Sequence, residues 1–405
     1  MTLTLSDIAN RESVKFGNLE EVVAQVSLRP FDTAVIDFLS EFSRQLLRSV
    51  QAKKLPDVVS LAYWCRPSNL ERMRKEFGET STSIGRGIVF HVPPTNVPLN
   101  FAYSLLAGLL SGNSNIVRMS SIDSIEVAEV LSTIGHISEL SSLKEIAKRI
   151  CIVQYGHDDE ITEALSLTSD ARVIWGGDNT VGHIRGLSTK PRSIDISFAD
   201  RVSISLIRAS AVLELSNDEL SNALSRFYVD GYTFNQNACS SPRLVVWHGN
   251  NQDVSEASHR FWTHLDAIAS RRGEVEAVHV MNRFVEACET LVANDNISRI
   301  DGLSTAALKV SLRDANRWEE VASLRFGTFT QARVSELSQL EGLLDEKVQT
   351  IGYLGFSPSE FEEPELVGIC RKVDRIVPLG EALSFELTWD GYDLIRYLSR
   401  HVVIR

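Results

Sequence analysis

The sequence is poor in the features that would send a chain to a membrane, a nucleic acid or an oxidising compartment. Among 405 residues there are five cysteines, Cys65, Cys151, Cys239, Cys288 and Cys370, odd in number, widely spaced and without a C-x-x-C pair. That sets aside a disulfide framework or a cysteine zinc site, and reduced thiols in a cytoplasmic protein are expected. Basic residues are not in excess: the formal net charge is −12, which argues against nucleic acid or acidic lipid as partner. Long apolar runs are missing too. The most apolar segment, Val97 to Leu110, is broken by Asn100, Ser104 and Gly108 and is too short to span a bilayer. Met1 to Asp7 has neither the charged region nor the apolar core of a signal peptide. Internal repeats, low-complexity linkers and the G-x-G-x-x-G fingerprint are all absent.

What is present is an ordinary globular composition, 43% hydrophobic, with length enough for two or three domains. Residues 20–80 read mostly as helix, with Phe31, Val35, Ile36, Phe38 and Leu39 at helical spacing. Ile88 to Val92 reads as a strand stopped by Pro93-Pro94; Thr95 or Asn96 can cap the next helix, with Pro98 in its first turn. Further short apolar runs, Asn115 to Met119, Ile150 to Gln154, Ala171 to Trp175 and Val202 to Ile207, alternate with helical segments. Such alternation predicts an α/β fold, a parallel sheet covered on both faces. A helix with Leu220, Ala223, Leu224 and Phe227 on one face then leads to a second α/β unit at about residues 210–385.

Four places could carry chemistry. The loop Trp175-Gly176-Gly177-Asp178-Asn179-Thr180-Val181-Gly182 joins a strand to a helix, where glycines admit a ligand and the helix amino terminus favours a pyrophosphate; a plain turn is the competing reading. Asn96 is either a helix cap or an amide donor aimed into a cleft at the strand's carboxyl end. Arg118 is a surface cation or a phosphate contact. Cys239, in N-Q-N-A-C-S-S-P-R before the run Leu-Val-Val-Trp, is a packed thiol or a nucleophile; the nearest histidine, His248, lies beyond that strand. The acidic clusters 157–160 and 360–365 lack metal-ligand spacing, so no metal site is expected.

Taken in order, these motifs resemble the aldehyde dehydrogenase superfamily, and within it the LuxC-type acyl-CoA reductase family. The segments that carry the likeness are Gly87 to Pro98, Leu110 to Arg118, Val173 to Asp178, Asn235 to Arg243, and Arg375 to Gly380 with Trp389 to Tyr392. The resemblance implies two Rossmann-like parallel-sheet domains, one for cofactor and one for catalysis, with a reduced oligomerisation element, since Glu79 to Gly87 is short for the superfamily's hairpin. Residues 1–208 would hold the amino-terminal helices and cofactor domain, 209–385 the catalytic domain, and 386–405 a segment returning to the cofactor domain or an oligomer interface.

The same resemblance implies that Cys239 is the nucleophile, that Asn96 and the Cys239 backbone N–H stabilise the oxyanion, and that Pro94, Trp175, Gly176, Gly177 and Val181 line the cofactor. Arg118, with Ser121 in place of the acidic residue of NAD-preferring members and Ser120 beside it as a cofactor contact, suits NADPH, with NADH as the alternative. The hydrolytic glutamate is missing. Asp195, in register but about one bond length (~1.5 Å) shorter in reach, is the nearest acid/base candidate. The motif that grips the nicotinamide ribose survives only as Arg325-Phe326-Gly327-Thr328-Phe329. The implied reaction is reduction of an acyl-CoA, fatty acyl in this branch, to the aldehyde. The alternatives are the reverse, CoA-acylating direction and acyl transfer without reduction. A homo-oligomer and an acyl-protein synthetase or acyltransferase partner are the implied associations. Phe90, Tyr103, Tyr232 and Phe234 line an acyl tunnel or belong to the core.

Overall fold

The computed structural model describes residues 5–11, 13–78, 82–94, 96–119, 124–272, 277–302, 307–363 and 366–404. The chain forms two compact units, Met1–Ala199 with Phe385–Arg405, and Asp200–Ser384.

Among the described residues seven strands fall in the first part of the chain: β1 (Ser13–Phe16), β2 (Ser83–Gly85), β3 (Ile88–Val92), β4 (Ser114–Met119), β5 (Ile150–Gln154), β6 (Ala171–Trp175) and β7 (Ile194–Phe198). Six of them make one sheet in the order β1-β5-β4-β3-β6-β7, parallel except for β1 at the edge. Every residue of β3 is buried, as a central strand covered on both faces must be. Ile88, Phe90 and Val92 face one helical layer, with Ile161, Leu165, Val181 and Ile184. Val89 faces the other side, toward Ala107 and Trp175.

The helices 33–48, 56–64 and 67–77 pack with helices 100–110 and 125–138 around Phe38, Phe42, Leu61, Leu106 and Val130. Asp32 caps the first by accepting from Ala34 N at 2.9 Å. Pro56 and Pro67 open the next two at positions where the missing N–H costs nothing.

The second unit carries β8 (Val202–Arg208), β9 (Pro242–His248), β10 (Ile297–Gly302), β11 (Leu308–Leu312), β12 (Thr328–Val334), β13 (Val348–Leu354) and β14 (Arg375–Pro378). They form one sheet in the order β10-β11-β12-β9-β8-β13-β14, with only β10 antiparallel. Its core gathers Leu206, Val246, Trp318 and Ile351 on one side, and Phe227, Trp247, Phe261 and Phe329 on the other.

The strand Val202–Arg208, grouped above with the first domain, therefore belongs to the second sheet, where it pairs with β9 and β13. Its apolar pattern is the same whichever sheet it joins; partners distant in sequence decide. The final segment returns to the first unit through β15 (Thr388–Trp389), β16 (Tyr392–Asp393) and β17 (Ser399–His401). There β17 pairs with β2, Trp64 Nε1 donates to Phe385 O at 3.0 Å and Asn113 Nδ2 to Leu398 O at 2.8 Å. Of the stretch Glu79 to Gly87, residues 79–81 lie outside the described residues. Among the described residues no helix is long and apolar enough to cross a membrane.

Candidate active site

The first sheet runs β5-β4-β3 on one side of its start and β6-β7 on the other. The connection leaving β3 therefore runs to β4 on one side and the one leaving β6 runs to β7 on the other, and in such sheets a crevice opens at the carboxyl ends where the order reverses. Pro93, Pro94 and Asn96 follow β3, and Trp175, Gly176 and Gly177 end and follow β6, so both segments flank that switch point. The helix Asp178–Gly186 begins there, with Gly177 at its cap position and no side chain capping it. A Cβ on Gly176 would come within 3.2 Å of Thr180, so a glycine keeps this turn close to the helix. Val181 is buried against the sheet. An uncapped helix amino terminus behind a glycine turn, at a switch point, fits a dinucleotide phosphate.

Asn96 is exposed and does not cap the helix, which starts only at Asn100 behind Leu99. Pro98 accordingly lies in the turn ahead of the helix rather than in its first turn. Arg118, at the end of β4, donates from Nη2 to Gly156 O at 2.8 Å, its guanidinium carbon 4.9 Å from the centre of the Tyr155 ring. Ser120 and Ser121 lie outside the described residues.

A buried polar chain fixes Trp175. Its Nε1 donates to Ser104 Oγ at 3.2 Å, and Ser104 Oγ lies 2.7 Å from His91 Nδ1. His91 Nε2 lies 3.0 Å from Asn115 Oδ1, while Asn115 Nδ2 donates to Asn113 O at 3.0 Å. That last bond turns the Asn115 oxygen to the ring, so Nε2 carries the hydrogen and Nδ1 accepts from Ser104. His91 is fully buried, and burial pulls its pKa down to about 4, so the ring is neutral. Gly108 makes room for it, since a Cβ there would lie 2.0 Å from Asn115 Oδ1. That accounts for a glycine inside a helix, where it costs about 1 kcal/mol against alanine. The indole face stacks on Phe198 at 3.7 Å. Nothing in the motif reading pointed to His91 or Ser104, although a histidine in the otherwise apolar I-V-F-H-V was a visible signal.

Asp195, on β7, takes a bond from Arg172 on each oxygen, both 2.7 Å, and Arg172 is 1% exposed. The carboxylate thus holds a buried guanidinium to the neighbouring strand. Phe90 is core, Tyr103 packs edge-on against Trp64, and Tyr232 stacks on Tyr228 at 4.6 Å. The acidic stretch at 157–160 is used for structure: Asp158 caps a helix and Asp159 meets His183 at 2.8 Å.

In the second unit the loop from Asn235 to Ser241 presents Cys239 just before β9. Asn235 and Gln236 both adopt left-handed backbone, φ 51° and 59°, which costs roughly 1 kcal/mol or more for each residue that is not glycine. Phe326 and Gly327, in the opposite loop, do the same at 57° and 82°. The two loops hold each other. The fully buried Gln236 amide donates to Pro242 O at 2.9 Å and Thr328 O at 3.0 Å, and its oxygen accepts from Gly327 N at 2.7 Å and Thr328 N at 3.0 Å. Arg325 donates to Asn237 Oδ1 at 2.8 Å, and Phe326 N to Asn235 O at 3.2 Å. The R-F-G-T-F stretch, read above as the remnant of a ribose-gripping motif, is therefore the brace of the cysteine loop. His279 stacks on Phe326 from behind at 5.3 Å.

Beneath Cys239 the parallel ladder slips twice. On β9, Ser203 pairs with Pro242 but Ile204 with Leu244, leaving Arg243 as an extra residue. On β13, Val202 pairs with Val348 but Ser203 with Thr350, leaving Gln349 extra. Such bulges re-aim side chains. Ser203 Oγ, between them, donates to Cys239 O at 2.9 Å and accepts from Thr350 N at 3.2 Å. Gln349 Nε2 reaches the Cys239 sulfur at 3.4 Å. The buried Arg243 guanidinium donates to Ala322 O and Leu324 O, each 2.9 Å, and to Gln236 O. Burial and the Arg325 charge bring its pKa down to about 10, with the Glu286 and Cys239 charges acting in the opposite sense. The other cysteines differ. Cys65 and Cys151 are buried; burial pushes the Cys65 thiol up strongly and Cys151 up to about 12. Cys288 and Cys370 are exposed.

A family profile described as "Acyl-CoA reductase (LuxC)" matches residues 20–401. Two relatives named long-chain acyl-protein thioester reductase are similar over part of the chain. The Vibrio harveyi protein is 29% identical over 172 residues, 42% of this chain and 33% of its own length. The Aliivibrio fischeri protein is 26% identical over 169 residues, 41% of this chain and 33% of its own. These matches span about a third of each relative. Solved structures share the fold. Aldehyde dehydrogenase 21 of Physcomitrella patens has TM-score 0.68 at 10% identity, covering 100% of this chain and 91% of that one. A glyceraldehyde-3-phosphate dehydrogenase of Methanocaldococcus jannaschii has TM-score 0.63 at 11% identity, covering 91% and 88%. The fold is that of the aldehyde dehydrogenases.

Proposed function

The chain belongs to the LuxC family of acyl-CoA reductases, and from that membership we propose that it reduces an acyl thioester to the aldehyde through a covalent acyl group on Cys239. The observation that carries the reading is the setting of Cys239. Of five cysteines it alone is half-buried on a braced loop, with an amide donor on its sulfur.

The Cys239 sulfur attacks the thioester carbonyl and its own backbone N–H takes up the oxyanion; the family resemblance implies the Asn96 amide as the second donor. The new S–C bond replaces the old one, and the donor thiol leaves with its electron pair and a solvent proton. A nicotinamide cofactor, when bound, supplies the hydride that takes the acyl carbon to the aldehyde level. Pro94, Trp175, Gly176, Gly177 and Val181 would hold it, and Arg118 would favour NADPH. The C–S bond of the hemithioacetal then breaks and the pair returns to Cys239. No step needs activated water, in keeping with Asp195 being occupied by Arg172. A fatty acyl-CoA is the expected donor; the relatives' name points to a protein-bound acyl group as the second candidate.

The test is mass spectrometry after incubation with a panel of acyl-CoAs and with an acylated carrier protein, the adduct mapped by peptide. An adduct on Cys239, followed by aldehyde on adding NADPH, is expected. Cys239→Ala should abolish both, and Asn96→Ala should slow turnover by about 10²–10³. Reductase activity surviving in Cys239→Ala would refute the proposal. An adduct that NADPH does not discharge would point to an acyl carrier instead.

A further inference from the structure

We propose that Gln349 is a catalytic residue of the Cys239 site, a neutral amide that holds the sulfur as its electron pair comes and goes. The proposal rests on Cys239 being the nucleophile and adds a group for which no motif had provided.

The geometry carries it. Gln349 is the second residue of β13, in V-Q-T-I-G-Y-L, where a regular ladder would alternate side chains between two apolar layers. It is fully buried, in a strand whose neighbours Val348 and Ile351 are core. Burying a glutamine there costs free energy unless its amide is used. The register slips at Gln349, between the pairs Val348–Val202 and Thr350–Ser203, and its side chain ends with Nε2 3.4 Å from Cys239 Sγ. Its orientation is set from the other side, where Thr350 Oγ1 lies 3.4 Å from Oε1, so the nitrogen is the atom turned to sulfur. The second slip, at Arg243, turns in a guanidinium that ties down the cysteine loop through Gln236 O. Ser203 stands between both slips and holds the cysteine's carbonyl. Three adjacent strands thus converge on the cysteine and its loop: a hydroxyl from β8, an amide from β13 and a guanidinium from β9.

An amide N–H neither gives nor takes a proton at neutral pH, so Gln349 is not the base. It donates a hydrogen bond that is stronger to a thiolate than to a thiol or thioester. In acylation the Sγ pair forms the S–C bond and the donor thiol leaves. In the final step the C–Sγ bond breaks and the pair returns to sulfur, where the Gln349 N–H meets it. The donor therefore favours the free thiolate at the start and the leaving thiolate at the end.

The experiment follows the pH dependence of Cys239 alkylation by iodoacetamide, with the adduct located by mass spectrometry. The reaction needs neither substrate nor cofactor. Gln349→Met keeps the length and removes the donor. Its alkylation profile should move about one unit to higher pH, so that the rate at neutral pH falls about tenfold. Gln349→Glu, nearly isosteric, places a carboxylate by the sulfur, should shift the profile further in the same direction, and carries the test if the methionine variant does not fold. A folded Gln349→Met protein with the parent's profile, or a glutamate variant with an unmoved or lowered one, overturns the proposal. The two readings separate cleanly. A shifted profile without any acyl adduct leaves Gln349 in place and rejects the acyl-enzyme. An acyl adduct with an unshifted profile does the reverse.

Discussion

The two sheets share a strand order and use opposite edges. β5-β4-β3-β6-β7 in the first unit repeats as β12-β9-β8-β13-β14 in the second, each extended on one side to an antiparallel edge strand. In the first, the candidate residues follow the carboxyl ends of β3, β4 and β6, where the reversal of strand order opens a crevice. In the second, Cys239 precedes the amino end of β9, and Gln349 and Arg243 come from the first two residues of β13 and β9. The carboxyl edge needs no distortion to bind a ligand, because the crevice and the helix terminus come with the topology. The amino edge has no such crevice. There, slipped registers and left-handed loop residues must be spent to gather polar groups around one sulfur.

That contrast breaks most sharply at Gln236. Its amide makes four buried hydrogen bonds that tie the two strained loops together. Gln236→Leu leaves two N–H groups and two carbonyls unanswered, and should cost about 3 kcal/mol. For a unit of this size the melting transition should fall by roughly 6–12 °C. Hydrogen exchange should speed up at 235–243 and 325–330 while β3 and β6 stay protected. An unchanged melting curve would show that the loops stand without their brace.

The first sheet answers to pH instead. The folded pKa of His91, about 4, lies below the unfolded value of about 6.5. Between those values the unfolded chain binds the proton and the folded chain does not. The His91 contribution is therefore complete above pH 6.5 and is lost as pH falls toward 4, at about 1.4 kcal/mol per unit and about 3 kcal/mol in all. Urea unfolding at pH 6.5 and pH 5 should show the parent losing about 2 kcal/mol more than His91→Gln. Equal losses would mean that the ring takes its proton without opening the fold.

How much of this was legible follows the same division. Strands covered on both faces read as apolar runs, so β3, β4, β5, β6 and β9 were visible, as was the alternation with helices that makes the fold. Motif order brought out Cys239 and the Trp175 loop. The break after Ala199 was hidden because β8 looks the same in either sheet. For Asn96 a helix cap stayed open beside the amide donor because Pro98 is an acceptable early helical residue, and only the turn through Leu99 removes the cap. Gln349 and His91 were written openly as polar residues inside apolar strands, but their meaning depends on a contact to Cys239, 110 positions from Gln349, and on the Ser104 hydroxyl that His91 shares with Trp175. A register slip has no local signature at all.

The smallest expected effect concerns the cofactor edge and sharpens what that edge selects. Arg118 ends β4 at the carboxyl edge and, among the described residues, is tethered by a bond to Gly156 O and by the Tyr155 ring. A guanidinium held on one side keeps other donors to offer, and a dianionic 2′-phosphate gains far more from them than a ribose hydroxyl does. Arg118→Ala should therefore weaken NADPH by about tenfold and NADH hardly at all, measured as quenching of nicotinamide fluorescence on titration. Arg118→Lys, a point charge without the planar fork, should fall between the two. Equal losses for both nucleotides would make Arg118 a brace for the β5 loop and leave the choice of nucleotide to other residues of that edge.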